Sequence, residues 1–320
     1  MRLLLPKRYS VEDATFSRTL IAYDETQKLA GIEIPRIIKT AYGKMMMVEE
    51  SQTNLFPVAY SRQFTSNWTS GTLNGTYTIK IYGSVGSLDL SGGYTGSVAA
   101  GETLTFAVSS ATVTFTPTDD PVYCSLVLKS YITSWAESVR AAESLTLPTA
   151  GLSVSEGTIE GIVEITDLSK RQGSGNNMVF NISTGSNVLR LFHKTASGEW
   201  TLLIGETAYT YLNVADTSTP NALYFYKAIW KADLAKIEFW NLSTKTMVGF
   251  AESTSPDLPS VLASVLNIGS LGASSGFANT RFGRHRLSDI ARTDDPDFND
   301  LMPSDANTTA IFDPTYTFLT

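Results

Sequence analysis

Charge, cysteine and histidine are all scarce in this chain, and each scarcity excludes a class of protein. Charged residues make up 17% of the 320 residues, below the usual quarter of a globular chain. The balance of 24 basic against 31 acidic residues gives a net charge of −7, which argues against nucleic acid as a partner. The single cysteine, Cys124, permits no intrachain disulfide. In VYCSLVLK it reads as a small buried apolar side chain, not a working thiol. The two histidines, His193 and His285, belong to no HExxH or H-x-H pattern, so nothing supports a zinc hydrolase. G-x-S-x-G, P-loop and G-x-G-x-x-G patterns are also missing. The Gly-rich stretch Ser174 to Asn177 reads as a turn, because no helix follows it to cradle a phosphate.

Long hydrophobic runs are missing too. Leu3 to Leu5 is cut short by Pro6-Lys7-Arg8, before a signal-peptide core could form. No span approaches the roughly 20 apolar residues of a membrane helix. The expectation is a soluble chain made in a cytoplasm, with no membrane insertion. A fixed-period repeat is absent, which sets aside collagen-like and β-helical fibres.

What is present is β-rich. In Ala222 to Phe250, ALYFYKAIWKADLAKIEFWNLSTKTMVGF, three runs rich in β-branched and aromatic residues are broken at Lys231-Ala232-Asp233 and Asn241-Leu242-Ser243. Ile237 and Phe239 alternate with Glu238 and Trp240, a period of two. This predicts an antiparallel meander with one face in a core and the other partly wet. Trp230 and Trp240 are placed to pair across it. Between Thr76 and Lys129, five strand-like runs at short, even spacing predict a small β-sandwich. Thr112, Thr114 and Thr116 alternate there with Val113, Phe115 and Pro117, so one strand face is solvated. Trp68, in the loop-like SNWTSGTLNG, is a candidate to close that sandwich. Ser130 to Pro148 reads as a linker. Beyond it, about ten strand-like runs have the count of a jelly roll, with short helical segments at Leu287 to Ala291 and Asp297 to Met302.

Residues 1–50 read as an extended anchoring arm, because short apolar clusters at Leu3 to Leu5, Leu20 to Ala22 and Ile32 to Ile38 cannot close a core alone. The triplet Met45-Met46-Met47 reads as adaptable packing. The fold class expected is all-β: arm 1–50, small β-sandwich 51–135, jelly roll 136–320.

Four stretches carry a family resemblance. GKMMMVEESQTNL, Gly43 to Leu55, resembles the "G…VEE..TNL" signature of bacteriophage virion appendage proteins. SLVLKSYITSWAESVRAAESLTL, Ser125 to Leu147, resembles the linker that in such proteins joins a small carbohydrate-module-like sandwich to a concanavalin-like domain. Leu128 stands where that signature has an acid, and Glu143 where it has Asp. YKAIWKADLAKIEFWNLSTKTMV, Tyr226 to Val248, is similar to a laminin-G/concanavalin hairpin; Asn241 falls on its Asn, while Leu242 replaces its turn Gly and so requires another turn type. Phe282 to Asp294 looks like that family's closing strand and tail. The resemblance implies a phage structural protein with a concanavalin-like (laminin-G-like) jelly roll, a fold that often binds sugars.

Three chemistries are weighed on the residues. Retaining glycanases of this shape carry E-x-D-x-x-E, with two carboxylates about 5 Å apart. Glu160 and Glu164 come nearest, but Ile162 holds the central acid position, so they read as two solvent-facing acids and no catalytic residue is expected. Asp294, Asp295, Asp297 and Asp300 could supply calcium oxygens; helix capping is the better account of them, so no cofactor is expected and calcium stays as the weaker alternative. Sugar binding needs an aromatic face beside planar polar groups. Tyr209 and Tyr211 share a strand face by the two-residue period, and with Trp200 and Asn213 they form the candidate glycan site.

The expected function is thus non-enzymatic: a virion surface protein (head decoration, head fibre or tail appendage) anchored by its arm to other virion proteins. It would be homo-oligomeric and adhere to host-surface polysaccharide through many copies. The alternatives are a structural cement or spike without ligand, and a glycan depolymerase.

Overall fold

The computed structural model describes residues 15–17, 22–23, 29–30, 37–40, 43–48, 52–130, 132, 135, 139–140, 143–165, 176–194, 197–219, 221–271, 280–303 and 305–312. Leu3 to Leu5, Glu49 to Ser51 and Ser174-Gly175 lie outside them, as do most of Leu20 to Ala22 and Ile32 to Ile38. The chain is all-β. Its described residues fall in two compact units, one within 1–17, 37–50 and 143–320, the other within 18–36 and 51–142.

In the larger unit two antiparallel sheets face one another. The seven-stranded sheet runs Thr15–Ser17, Ser144–Pro148, Val265–Ile268, Asn176–Thr184, Asn187–Lys194, Glu199–Gly205, Thr210–Ala215. The eight-stranded sheet runs Thr246–Ser253, Leu234–Asn241, Ala222–Lys231, Glu156–Ile165, Thr280–Ser288, Gly43–Val48, Ile37–Thr40. Thr308–Phe312 also pairs with Thr280–Ser288, beyond the part taken by Gly43–Val48.

Alternation along each strand decides what lies between the sheets. Ile159, Val163, Tyr224, Tyr226, Ile237, Phe239 and Phe282 point inward from one sheet. Phe180, Leu189, Leu191, Trp200, Leu202 and Leu212 meet them from the other. Side chains of this size, fully buried, contribute roughly 1.5–3 kcal/mol each.

The meander forms as expected. Ala232-Asp233 make a two-residue turn, with Lys231 opposite Leu234. The second turn spans Leu242 to Lys245, and its type answers the missing glycine. Asn241 Oδ1 accepts from the backbone N–H of Ser243 and Thr244 at 2.9 and 3.2 Å, an Asx turn. Leu242 is then free to bury its side chain.

Trp230 and Trp240 do not pair. Trp240 lies opposite Phe225, and Trp230 opposite Ala235. They occupy separate clusters on opposite faces of the sheet, because Phe225, the partner of Trp240, stands an odd number of residues from Trp230 on the same strand. The second face is also less wet than expected. Met45, Ile162, Phe225, Trp240, Leu242 and Met302 bury there, with Phe298 set edge-on to Trp240 at 5.7 Å.

Three boundaries move. Ile37–Thr40 and Gly43–Val48, read as arm, are strands of the eight-stranded sheet, the first at its edge; Met46 and Val48 enter the main core while Met45 packs on the opposite face. Ser144–Pro148, read as linker, pairs with Val265–Ile268 and sends Leu145 and Leu147 into the core. Leu287 to Ala291 and Asp297 to Met302 are not helical: the first completes a strand and the second is a run of bends and turns between Pro296 and Pro303.

The smaller unit pairs Thr103–Ala111, Leu73–Ile81 and Cys124–Val127 in one sheet, and Gly96–Ala99, Ser87–Gly92, Val113–Thr118 and Trp68–Thr69 in another. Val113 and Phe115 are buried and Thr114 and Thr116 half-buried, the alternation read from sequence. Trp68 packs at 5.3 Å from Phe56 and 5.5 Å from Phe115, closing that core. Cys124 is buried in it, and burial pushes its thiol up to about 12, which leaves it an unreactive apolar side chain.

Candidate functional site

The outer face of the seven-stranded sheet, turned away from the sandwich core, carries the site. Register places Asn181, Arg190, Leu203 and Tyr211 in one lateral row across four strands. The next row holds Met178, Phe192, Thr201 and Asn213. Residues directly opposite in an antiparallel sheet share a face, so these rows lie on one side of the sheet, where Asn181, Met178, Phe192, Thr201 and Leu203 are buried, Arg190 is half-buried, and Tyr211 and Asn213 are exposed. A small apolar cluster of Met178, Val188, Phe192 and Leu203 lies within it, separate from the main core.

Tyr211 is 53% exposed and Tyr209 40% exposed, so each offers a ring to solvent. Asn213 is exposed beside them, and its Oδ1 accepts from Thr201 Oγ1 at 2.8 Å and from Lys194 Nζ at 3.0 Å. Both bonds end on the oxygen and fix the amide plane with Nδ2 left to donate. Lys194 Nζ also lies 5.8 Å from the centroid of Tyr211 and 3.7 Å from Glu199 Oε2.

Trp200 does not belong to this surface. It is 4% exposed and points into the core, its ring 5.2 Å from Phe239 and 4.6 Å from His193. The indentation beside it, lined by Ile165, Tyr224 and Phe239 among others, has about 10 Å³ of free space, room for one water and not for a sugar ring. The physical reason is alternation: Trp200 and Thr201 face opposite ways, and Thr201 is the one beneath Asn213.

Asp257 holds the loop that presents Tyr209. Its Oδ2 accepts the backbone N–H groups of Glu206, Thr207 and Ala208 at 2.9, 2.8 and 2.8 Å. These bonds hold the carboxyl below the usual carboxylate range, first through Ala208. Gly205 allows the close approach this requires, with φ at +147° and Tyr209 Cα only 3.0 Å from where a Cβ would stand. The Tyr209 hydroxyl then donates to the Ser186 carbonyl at 3.1 Å.

Sequence reasoning missed Arg190, Lys194 and Asp257. The signal for the first two was present, since NVLRLFHK puts Arg190, Phe192 and Lys194 on one face at a period of two. Nothing local marks Asp257, whose partners lie about 50 positions earlier.

Glu160 and Glu164 share a face as read, but they do not face solvent. Glu160 is buried against Arg286, and Glu164 is buried with both oxygens on Arg281 Nη1 at 2.9 and 2.8 Å. Asp294 to Asp300 cap no helix. Asp297 Oδ1 accepts from Asn299 N at 2.9 Å, another Asx turn, and the Asp294 carbonyl accepts from Lys227 Nζ. Among the described residues, no three His, Cys, Asp or Glu side chains converge as a metal would need.

No protein-family model matches the sequence, and no curated protein matches it. Among solved structures, the chain is similar to the enzymatically active domain of tailspike protein 2 from bacteriophage CBA120 (13% identity, TM-score 0.41), over 55% of this chain and 29% of that one. It is similar to domains LG4-5 of the mouse laminin alpha1 chain (9% identity, TM-score 0.32), over 85% of this chain and 96% of that one. The CBM2 module of the evolved Dit of Lactobacillus casei BL23 phage J-1 is also similar (9% identity, TM-score 0.24), over 48% and 79%. The chain spans under a third of the tailspike chains it matches. At these scores the likenesses carry no argument, and the fold rests on the sheets themselves.

Proposed function

We propose that this chain is a non-enzymatic surface protein of a bacteriophage particle, and that the outer face of its seven-stranded sheet adheres to glycans of the host surface. The observation that carries the adhesion reading is the exposed pair Tyr209 and Tyr211 beside Asn213, whose amide is held in a fixed plane. A pyranose has an apolar face that stacks on an aromatic ring and hydroxyls that need planar partners, and this surface offers both. Strands hold the ring of Tyr211 and the amide of Asn213 in place, so little order is lost on binding.

The virion part of the reading comes from the Gly43 to Leu55 and Ser125 to Leu147 motifs. Repetition on one particle would convert weak single-site affinity into avidity. Non-enzymatic action is supported by the burial of Glu160 and Glu164, each held by an arginine and closed to a substrate.

A glycan array probed with the full chain tests adhesion. Binding that falls at least about tenfold in Tyr211→Ala, with an unchanged melting temperature, is the expected result. Equal binding by the variant, or none by the wild type, sinks the reading. Mass spectrometry of purified particles tests the location, and new reducing ends after incubation with capsule or wall polysaccharide would replace adhesion by cleavage.

A further inference from the structure

We infer that the glycan bound on this face is an acidic one, and that Arg190 reads its carboxylate. The inference rests on the adhesion reading above and names the ligand class.

Arg190 sits in the row between Asn181 and Tyr211, two residues from Phe192 on the same strand face. It is half-buried, and among the described residues its guanidinium has no hydrogen-bond or ion-pair partner; Nε is wholly buried without an acceptor. Three other arginines of this unit show what such a group can obtain. Arg281 holds Glu164, Arg286 holds Glu160, and Arg292 holds Asp305. Arg190 holds no acid. The groups near enough to couple to its charge are the phenols of Tyr209 and Tyr211, the two rings of the glycan site.

The surrounding polar groups are already spent. Lys194 is engaged by Asn213 and Glu199, and the Asp257 carboxylate by three backbone N–H groups. Asn181 donates to the Leu271 carbonyl and accepts from Ser183. A partly desolvated cation without a counter-ion costs free energy, which an arriving carboxylate recovers through two parallel N–H···O bonds. The planar fork of arginine fits that geometry, as the point charge of lysine does not. A sugar stacked on Tyr211 would bring a ring carboxylate within reach of Arg190, while Asn213 Nδ2 donates to a hydroxyl. With a net charge of −7, the chain as a whole does not attract polyanions, so recognition is local and stereochemical.

Polygalacturonate, alginate and polysialic acid, each beside its methyl ester, test this with the full chain by titration calorimetry. Dextran serves as the neutral arm and dextran sulfate as the sulfate arm. The expected result is that at least one acid binds about tenfold or more tighter than its ester. Arg190→Gln should remove that preference by weakening acid binding to the level of the ester without lowering the melting temperature, Arg190→Lys should restore part of it, and Tyr211→Ala should weaken both forms. Equal binding of acid and ester, lost in Tyr211→Ala, overturns the carboxylate assignment and leaves adhesion standing. Dextran sulfate binding as tight as the best acid and indifferent to Arg190→Gln overturns it as general polyanion capture. No Tyr211-dependent binding in any arm overturns both readings.

Discussion

Arg286 Nε donates to Glu160 Oε2 at 2.6 Å, joining neighbouring strands on the face of the eight-stranded sheet turned away from the core. Both residues are buried. The same guanidinium donates through Nη1 to the Pro303 carbonyl at 2.6 Å and so fastens the closing segment over that face. An ion pair this deep gains little against an apolar pair of equal volume, yet breaking it strands a charge.

Arg286→Met should therefore cost about 3–5 kcal/mol, because Glu160 is left buried without its counter-ion. The double variant Arg286→Met with Glu160→Leu should recover most of the loss. Urea denaturation of the two proteins decides this, and a double variant no more stable than the single one would refute it.

Gly161 is held small by its neighbours. A Cβ there would lie 2.5 Å from His285 Cδ2 and Nε2 and 2.8 Å from Tyr226 Cε1, rings that the core fixes in place. Gly161→Ala should lower stability by about 1–3 kcal/mol through overpacking. Thermal melts monitored by near-ultraviolet dichroism would register it.

Tyr226 runs the other way. Its hydroxyl is buried with no hydrogen-bond partner among the described residues, and burial pushes its ionisation well above the usual phenol range. Tyr226→Phe should leave the packing intact and stabilise the protein by about 1 kcal/mol. A loss of similar size would mean that the hydroxyl is bonded.

His285 makes stability depend on pH. Its Nδ1 lies 2.9 Å from the Gly283 carbonyl, which can only accept, so the neutral ring carries its proton on Nδ1. Burial holds the imidazole down to about 4. An unfolded chain takes up that proton near pH 6.5 while the native state refuses it. The unfolded state thus binds more protons below about 6.5, and stability falls as pH drops from there toward about 4. Between pH 7 and 5 the loss should reach about 2 kcal/mol. The His285 ring resonances should not move over that range, and a midpoint near 6.5 in the native state would contradict the account.

Asp257→Ala should free the backbone N–H groups of Glu206, Thr207 and Ala208. Hydrogen exchange at those three amides is expected to speed up markedly, with glycan affinity reduced and the core amides unchanged. Unaltered exchange there would show that the loop holds itself.

Much of the fold could be read directly. The meander, the solvated threonines of Val113–Thr118, buried Cys124 and the adaptable methionines followed from alternation and composition, which act within one strand. Tyr209 and Tyr211 were placed on one strand face on the same grounds, whereas Trp200 was misassigned because an aromatic one position out of phase enters the core. The linker and arm readings failed at Leu145, Leu147, Met46 and Val48 because a short apolar run does not announce which distant strand it will pair with.

By itself the sequence determined that these segments are strands, and which residues of each strand share a side, because a two-residue period is a property of the local backbone. Only the tertiary structure decided which side faces the core, that Glu160 and Glu164 meet arginines from the closing strand, and that Arg190 lies in the row of Tyr211 with no acidic partner among the described residues. Those outcomes depend on register between strands far apart in the chain, and a shift of one residue would have turned every one of those side chains to the opposite face.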